Sequence, residues 1–241
     1  MKTNAELKDE AKRMLQGRWK ESILMCLVPT IISILAVGTL MVLVLIPTFF
    51  LFRDNLDTIA NNFNNDIYNA AETGNGGSGG GGGFISGLLS AFFSVAITWT
   101  FLDIFRGQKL AIEPFKDIFR SFKSPYALAV VVIYLLTTIF TVLWTMLFII
   151  PGIVKSYSYS QAYNIFYDTY QNTGQAPKAL DTITASRRLM DGHKAQLFIL
   201  DLSFIGWHIL ATLTLGIGYL WLTPYIEATK AAFYNNLPKT V

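Results

Sequence analysis

The chain has 241 residues, 52% of them hydrophobic and 15% charged, with a mean hydropathy of +0.42. Soluble domains carry roughly 25% charged residues, so this composition excludes an ordinary soluble protein and points to a membrane. A net charge of +3 gives no ground for nucleic-acid binding, and the one cysteine, Cys26 in an apolar run, excludes an internal disulfide.

In "ELKDEAKRMLQGRW", Leu7, Ala11, Met14, Leu15 and Trp19 share one face. This spacing predicts a cytoplasmic amphipathic helix within residues 1–22, lying in the headgroup layer or leading into the first span. The apolar run 23–52 is too long and begins too late for a signal-peptide core of about 7–15 residues. It is predicted as span one, with Pro29 and Pro47 near its ends. Residues 53–83 are Asn-rich and then Gly/Ser-rich, the composition of a flexible outer tether. Their G-x-G-x-x-G (Gly74 to Gly79) and G-x-S-x-G (Gly76 to Gly80) lack the strand and helix that a nucleotide loop or a nucleophile elbow needs.

A crossing helix takes about 20 apolar residues. Residues 84–104 and 127–150 are predicted as spans two and three. Between them "PFKDIFRSF" places Phe115, Ile118, Phe119 and Phe122 on one face of a second amphipathic helix, interfacial or leading into span three. Pro151 and Gly152 are expected to form a tight outer turn. Span four then carries Tyr159, Tyr163, Tyr167 and Tyr170 on one face, with Ser156, Ser160 and Asn164 beside it as a small stripe for close helix contact. The alternative, a strand over "SYSYS", leaves its backbone unsatisfied in lipid. Span five is expected at 195–215, a second outer turn at Leu215 to Gly218 (with Gly216 and Gly218), and span six from Tyr219. Gly152 and Gly218, like Tyr159 and Tyr225, stand at one common offset, the mark of a repeated hairpin.

The fold class expected is therefore all-α and integral to the membrane: one membrane domain of six transmembrane helices, spans two to six lying within 84–241. Sixteen of the 19 Lys and Arg residues then fall on one side. That puts both termini in the cytoplasm.

Five ionisable residues fall inside spans: Lys155, Asp201, His208, Glu227 and Lys230. Such groups are costly in lipid and mark pairs or pathways. They are taken as a buried polar cluster, with Asp201 and Lys230 linking spans five and six and Glu227 one turn from Lys230. No catalytic constellation, metal-ligand spacing or cofactor motif is present.

"LFIIPGIVKSYSYS", "SRRLMDGHKAQLFILDLSFIGWHILATLTLGIGYLWLTPYIEATKAAFY" and "LKDEAKRMLQGRW" resemble the bacterial multi-pass membrane family catalogued as domain of unknown function 975. The resemblance covers nearly the whole chain except the outer loop. It implies an integral protein of the bacterial cytoplasmic membrane and brings no activity. The function expected is non-enzymatic: envelope organisation, or immunity and export assistance against membrane-active peptides. The alternative is a transporter of small solutes or lipids using the charges between spans four to six. A membrane-embedded lipid enzyme ranks last. Expected partners are the lipid bilayer, other membrane proteins or a second copy of the chain, and no nucleic acid.

Overall fold

The computed structural model describes residues 1–52 and 80–238, and every element among them is helical. Most of the tether expected at 53–83 lies outside the described residues; residues 80–83 begin a helix. The chain divides into two units, residues 29–87 and the remainder. The first comprises the adjoining parts of α2 (Trp19–Phe52) and α3 (Gly80–Phe105). Everything below concerns the second.

Helix α1 (Asn4–Leu15) begins at a capping box. The Glu6 amide donates to the Thr3 hydroxyl, and the Thr3 amide donates to the Glu6 carboxylate at 2.7 Å. Leu7, Ala11 and Leu15 are fully buried, and the helix packs against α11 (Tyr219–Asn235). Ala228, Ala231 and Ala232 of α11 are fully buried too, and small residues let two helices approach closely. The apolar face predicted for α1 is therefore covered by protein.

From Phe92 to Ile104, α3 is buried nearly all round, the position of a central helix. The single amphipathic helix expected after it is absent. A short helix α4 (Pro114–Asp117) and a 3₁₀ turn (Arg120–Phe122) stand there instead. Contacts to α3 override the helical pattern: Ser121 donates to the Phe92 carbonyl at 2.9 Å, Phe122 stacks on Phe92 at 4.4 Å, and Ile118 is fully buried.

Two hairpins follow. The first pairs α5 (Tyr126–Leu147) with α6 (Ile149–Tyr159). Its corner is Phe148, with extended φ of −157°, so Pro151 and Gly152 are not the turn but the first turn of α6. A proline there forfeits no helical hydrogen bond. Gly152 is needed for close approach, because a Cβ on it would stand 2.9 Å from the Thr145 Cα. The second pairs α10 (Ile205–Leu213) with α11. Leu215 and Gly216 make its corner, with φ of +54° and +88°, a region that favours glycine. A Cβ on Gly218 would stand 2.7 Å from the Ala211 Cα. In both hairpins the crowded partner lies seven residues before the glycine, so Thr145 and Ala211 share the offset of Gly152 and Gly218.

Span four is interrupted: α6 ends at Tyr159 and α7 (Ala162–Thr173) begins after Ser160 and Gln161. Span five is interrupted between α9 (Lys194–Leu202) and α10. A helix absent from the sequence-based reading, α8 (Ala179–Leu189), packs on α5, α6 and α7 and fills the first gap. Its buried Ser186 accepts from the Gln161 amide at 3.2 Å and donates to the Ser158 carbonyl at 2.8 Å. Six crossings were expected; among the described residues three stretches are long and apolar enough to cross a membrane, 86–105, 126–147 and 194–213.

Candidate functional site

Two Arg–Asp–Tyr clusters close one end of the bundle. In the first, Arg106, just past α3, grips Asp168 of α7 with two hydrogen bonds of 2.6 and 3.0 Å. The Tyr234 hydroxyl donates to the same carboxylate at 2.8 Å, and Arg106 Nε donates to Asn235 at 3.3 Å. In the second, Arg120 donates to Asp103 and to the Tyr167 hydroxyl, each at 2.7 Å, and Tyr167 donates back to Asp103 at 2.7 Å. Trp99 stacks on Tyr167 at 4.7 Å. Burial works against both guanidinium charges, but their partners, Asp168 for Arg106 and Tyr167 with Asp103 for Arg120, outweigh it and raise both pKa values. The bidentate grip of Arg106 and the two-partner bridge of Arg120 both use the planar guanidinium fork and suit arginine, not lysine.

Beside this end lies a polar cavity of about 410 Å³. Helix α3 contributes Ser94 and Thr98. Tyr157 comes from α6, Gln161 and Asn164 from the interruption and α7, Asp201 from α9, and Glu227 and Lys230 from α11. Lys230 Nζ lies 3.6 Å from Asp201, and Tyr157 donates to the other Asp201 oxygen at 3.1 Å. Thr98 donates to Glu227 at 3.1 Å. A second cavity, about 390 Å³, is lined by the same three charged residues together with His208 and Tyr219. His208 Nδ1 is 3.3 Å from the Tyr219 hydroxyl. Asp201, Glu227 and Lys230 thus stand between two cavities.

The structure therefore brings Asp201, Glu227 and Lys230 together and puts His208 across the second cavity. It does not bring Lys155 to them. Lys155 lies 4.6 Å from the Trp144 ring centre and lines a separate, basic cavity with Arg187, Arg188 and Lys194. Nor is the Asp201–Lys230 pair buried as expected: the side chains are 32% and 42% exposed. The serine stripe of span four lines the polar cavity instead of making a close helix contact. Pro151, Gly152, Gly216 and Gly218 shape the hairpins, and none of them lines the cavities that hold Asp201, Glu227 and Lys230.

Asp103, Arg106, Arg120 and Asp168 were missing from the sequence-based set of charged spans. Asp103 was legible as one acid inside an apolar run. The convergence on Arg106 was half legible, since Phe166-Tyr167 pairs with Phe233-Tyr234 once a one-residue shift from the offset of Gly152 and Gly218 is allowed.

An exposed ion pair contributes little, about 0–1 kcal/mol. Asp201→Asn and Lys230→Met are each expected to lower the thermal midpoint in detergent only slightly. A loss of folded protein in either single variant would contradict the open geometry of this pair.

Residues 1–155 and 147–240 both match one family. No curated protein and no solved structure matches. With these segments spanning nearly all of its length, the chain belongs to the family described as "Protein of unknown function (DUF975)".

Proposed function

We propose that this is a non-enzymatic, multi-pass protein of the bacterial cytoplasmic membrane whose polar cavity binds a small zwitterionic solute or headgroup. The carrying observation is the cavity between interrupted helices, where one ammonium (Lys230) meets two carboxylates (Asp201 and Glu227). Where a helix breaks, its terminal backbone groups are left without helical partners and are free to meet a polar ligand. A loose 3.6 Å pair leaves Lys230 able to accept a ligand's anion while the carboxylates accept its amine. The volume lies within the usual range of roughly 300–1,000 Å³ for small-molecule sites. Both termini are cytoplasmic in this reading, which the distribution of Lys and Arg supports.

Calorimetry on the protein in nanodiscs tests it. Phosphoethanolamine is expected to bind at least tenfold more tightly than ethanolamine or inorganic phosphate alone, and Lys230→Met to remove that preference. Comparing nanodiscs with and without phosphatidylethanolamine separates the two sources, since a resident headgroup would compete with the free probe. Equal, weak heats for all three probes in both nanodiscs would contradict the proposal.

Envelope organisation, or immunity and export assistance against membrane-active peptides, is the second reading. It is favoured by an apolar cavity of about 360 Å³ lined by Trp19, Trp207, Trp221 and Leu210. Deleting the gene should then sensitise cells to such peptides, and unchanged sensitivity would count against it.

A further inference from the structure

We infer that the two apolar hairpins, α5–α6 and α10–α11, enter only the cytoplasmic leaflet and turn back inside it, instead of crossing the membrane. The partner surface is one leaflet: hydrocarbon around the tips and anionic phospholipid headgroups at a basic collar.

Charge stops well short of both hairpin tips. In the first hairpin, Ser186 of α8 is bonded to Ser158 and Gln161, and α8 carries exposed Asp181, Arg187 and Arg188. Lys155 lines one cavity with Arg187, Arg188 and Lys194. The aqueous boundary therefore reaches residues 155–161. Phe148, at the tip, is only ten residues before Ser158, about 15 Å of helix. The other arm is as short: the Phe140 ring lies 6.1 Å from that of Tyr159, and Leu147 is seven residues on, about 11 Å.

The second hairpin repeats this. Lys8 of α1 donates to the Ser203 carbonyl at 3.3 Å and lies 4.3 Å from the Phe204 ring centre; Lys12 lies 5.7 Å from that of Tyr225. Helix α1 is otherwise polar on its open side, with Glu6, Asp9 and Arg13 exposed. From Phe204 to Thr214 is about 15 Å, and from Gly218 to Tyr225 about 11 Å. The hydrocarbon core is about 30 Å thick, so both tips stop near its middle. Tyr159 and Tyr225, which mark the boundary in the two hairpins, are repeat mates.

The tips suit lipid and not water. Residues 126–154 contain no charged side chain, and 202–226 contain no Asp, Glu, Lys or Arg. Met146, Ile149 and Ile150 are 71–82% exposed, Leu213 75% and Leu215 95%. A crossing hairpin would put these residues into outer water, where such an apolar patch is unfavourable. Several corner amides pair internally, which lipid favours: Phe148 donates to Trp144, Leu215 to Thr212, Gly216 to Ala211 and Gly218 to the Thr214 hydroxyl. Lys8, Lys12, Lys155, Arg187, Arg188 and Lys194 lie at the collar, the place for lipid phosphates. The bias of basic residues to one side is the same whether the hairpins cross or return, so it does not separate the two topologies.

Single cysteines at Ile149 and Leu213, in a Cys26→Ala background, test this. Ser78→Cys in the Asn/Gly-rich segment and Gln175→Cys between α7 and α8 serve as the outer and inner references. Both tip positions are at least 71% exposed, so the substitutions disturb little packing. With an impermeant maleimide on intact cells, both tips are expected to label less than a tenth as much as Ser78→Cys. After permeabilisation they should still label less than a tenth as much as Gln175→Cys. Tagged with bimane in detergent and reconstituted, both should be quenched most by doxyl groups near the acyl-chain ends. Outside labelling of either tip would restore crossing and overturn the inference. Labelling equal to Gln175→Cys after permeabilisation, or quenching only by shallow doxyl groups, would also overturn it by taking the tips out of the hydrocarbon.

Discussion

Arg106→Leu is expected to destabilise the protein by about 3–5 kcal/mol, because it takes the guanidinium away from the Asp168 carboxylate in a largely closed site. The side chains of Arg106 and Asp168 are only 19% and 14% exposed. Asp168 would keep the Tyr234 hydroxyl but lose both guanidinium bonds. The expected readout is a large drop in thermal midpoint and in monodisperse protein recovered from the membrane. Adding Asp168→Asn should recover much of the loss, since it removes the carboxylate charge that the guanidinium had balanced. Removing Glu113 or Lys116, a pair 2.9 Å apart whose side chains are 54% and 72% exposed, should change nothing measurable. If Arg106→Leu were as mild as loss of the Glu113–Lys116 pair, the cluster would not be what joins α3, α7 and α11.

The next largest effect is expected at two glycines. Gly152→Ala and Gly218→Ala each drive a methyl group against a neighbouring helix backbone, at 2.9 Å and 2.7 Å from a Cα. Forcing extra atoms into a packed contact costs typically 1–3 kcal/mol, and two helices joined by one short corner have little room to yield. Gly206 is the control. It lies in α10 and a Cβ there meets nothing within 4 Å. Gly206→Ala should be neutral or stabilising by up to about 1 kcal/mol, as alanine in a helix interior usually is. Thermal midpoints of the three variants in one detergent decide the matter. Equal tolerance at all three positions would contradict the hairpin geometry.

The all-helical class was legible because the apolar runs are long enough for helices that could cross a membrane. The apolar runs marked the long helices, and the offset shared by Gly152 with Gly218 marked two related hairpins. Less legible was where helices break. Nothing local in "SYSYSQAY" forbids a continuous helix; the gap at Ser160 and Gln161 depends on Ser186, which lies 25 residues further along the chain. The "PFKDIFRSF" pattern satisfied helical periodicity, yet packing on Phe92 and burial of Ile118 override it. Of the candidate site, Asp201, Glu227 and Lys230 could be read from the cost of charge inside apolar runs. Lys155 obeyed the same rule and belongs elsewhere, because sequence spacing does not reveal which helix face a tertiary neighbour covers. Arg106 and Arg120 were counted only as topology signals, since both lie in a loop whose partners are on distant helices.

The central claim is that Asp201, Glu227 and Lys230 frame a site for a zwitterion, and native mass spectrometry of the protein purified from its own membrane tests it most directly. Wild type is expected to retain a bound molecule carrying both an amine and an anionic group, and Lys230→Met to lose at least nine-tenths of it while remaining folded. The same bound species at the same occupancy in both proteins, or none in either, would contradict the claim.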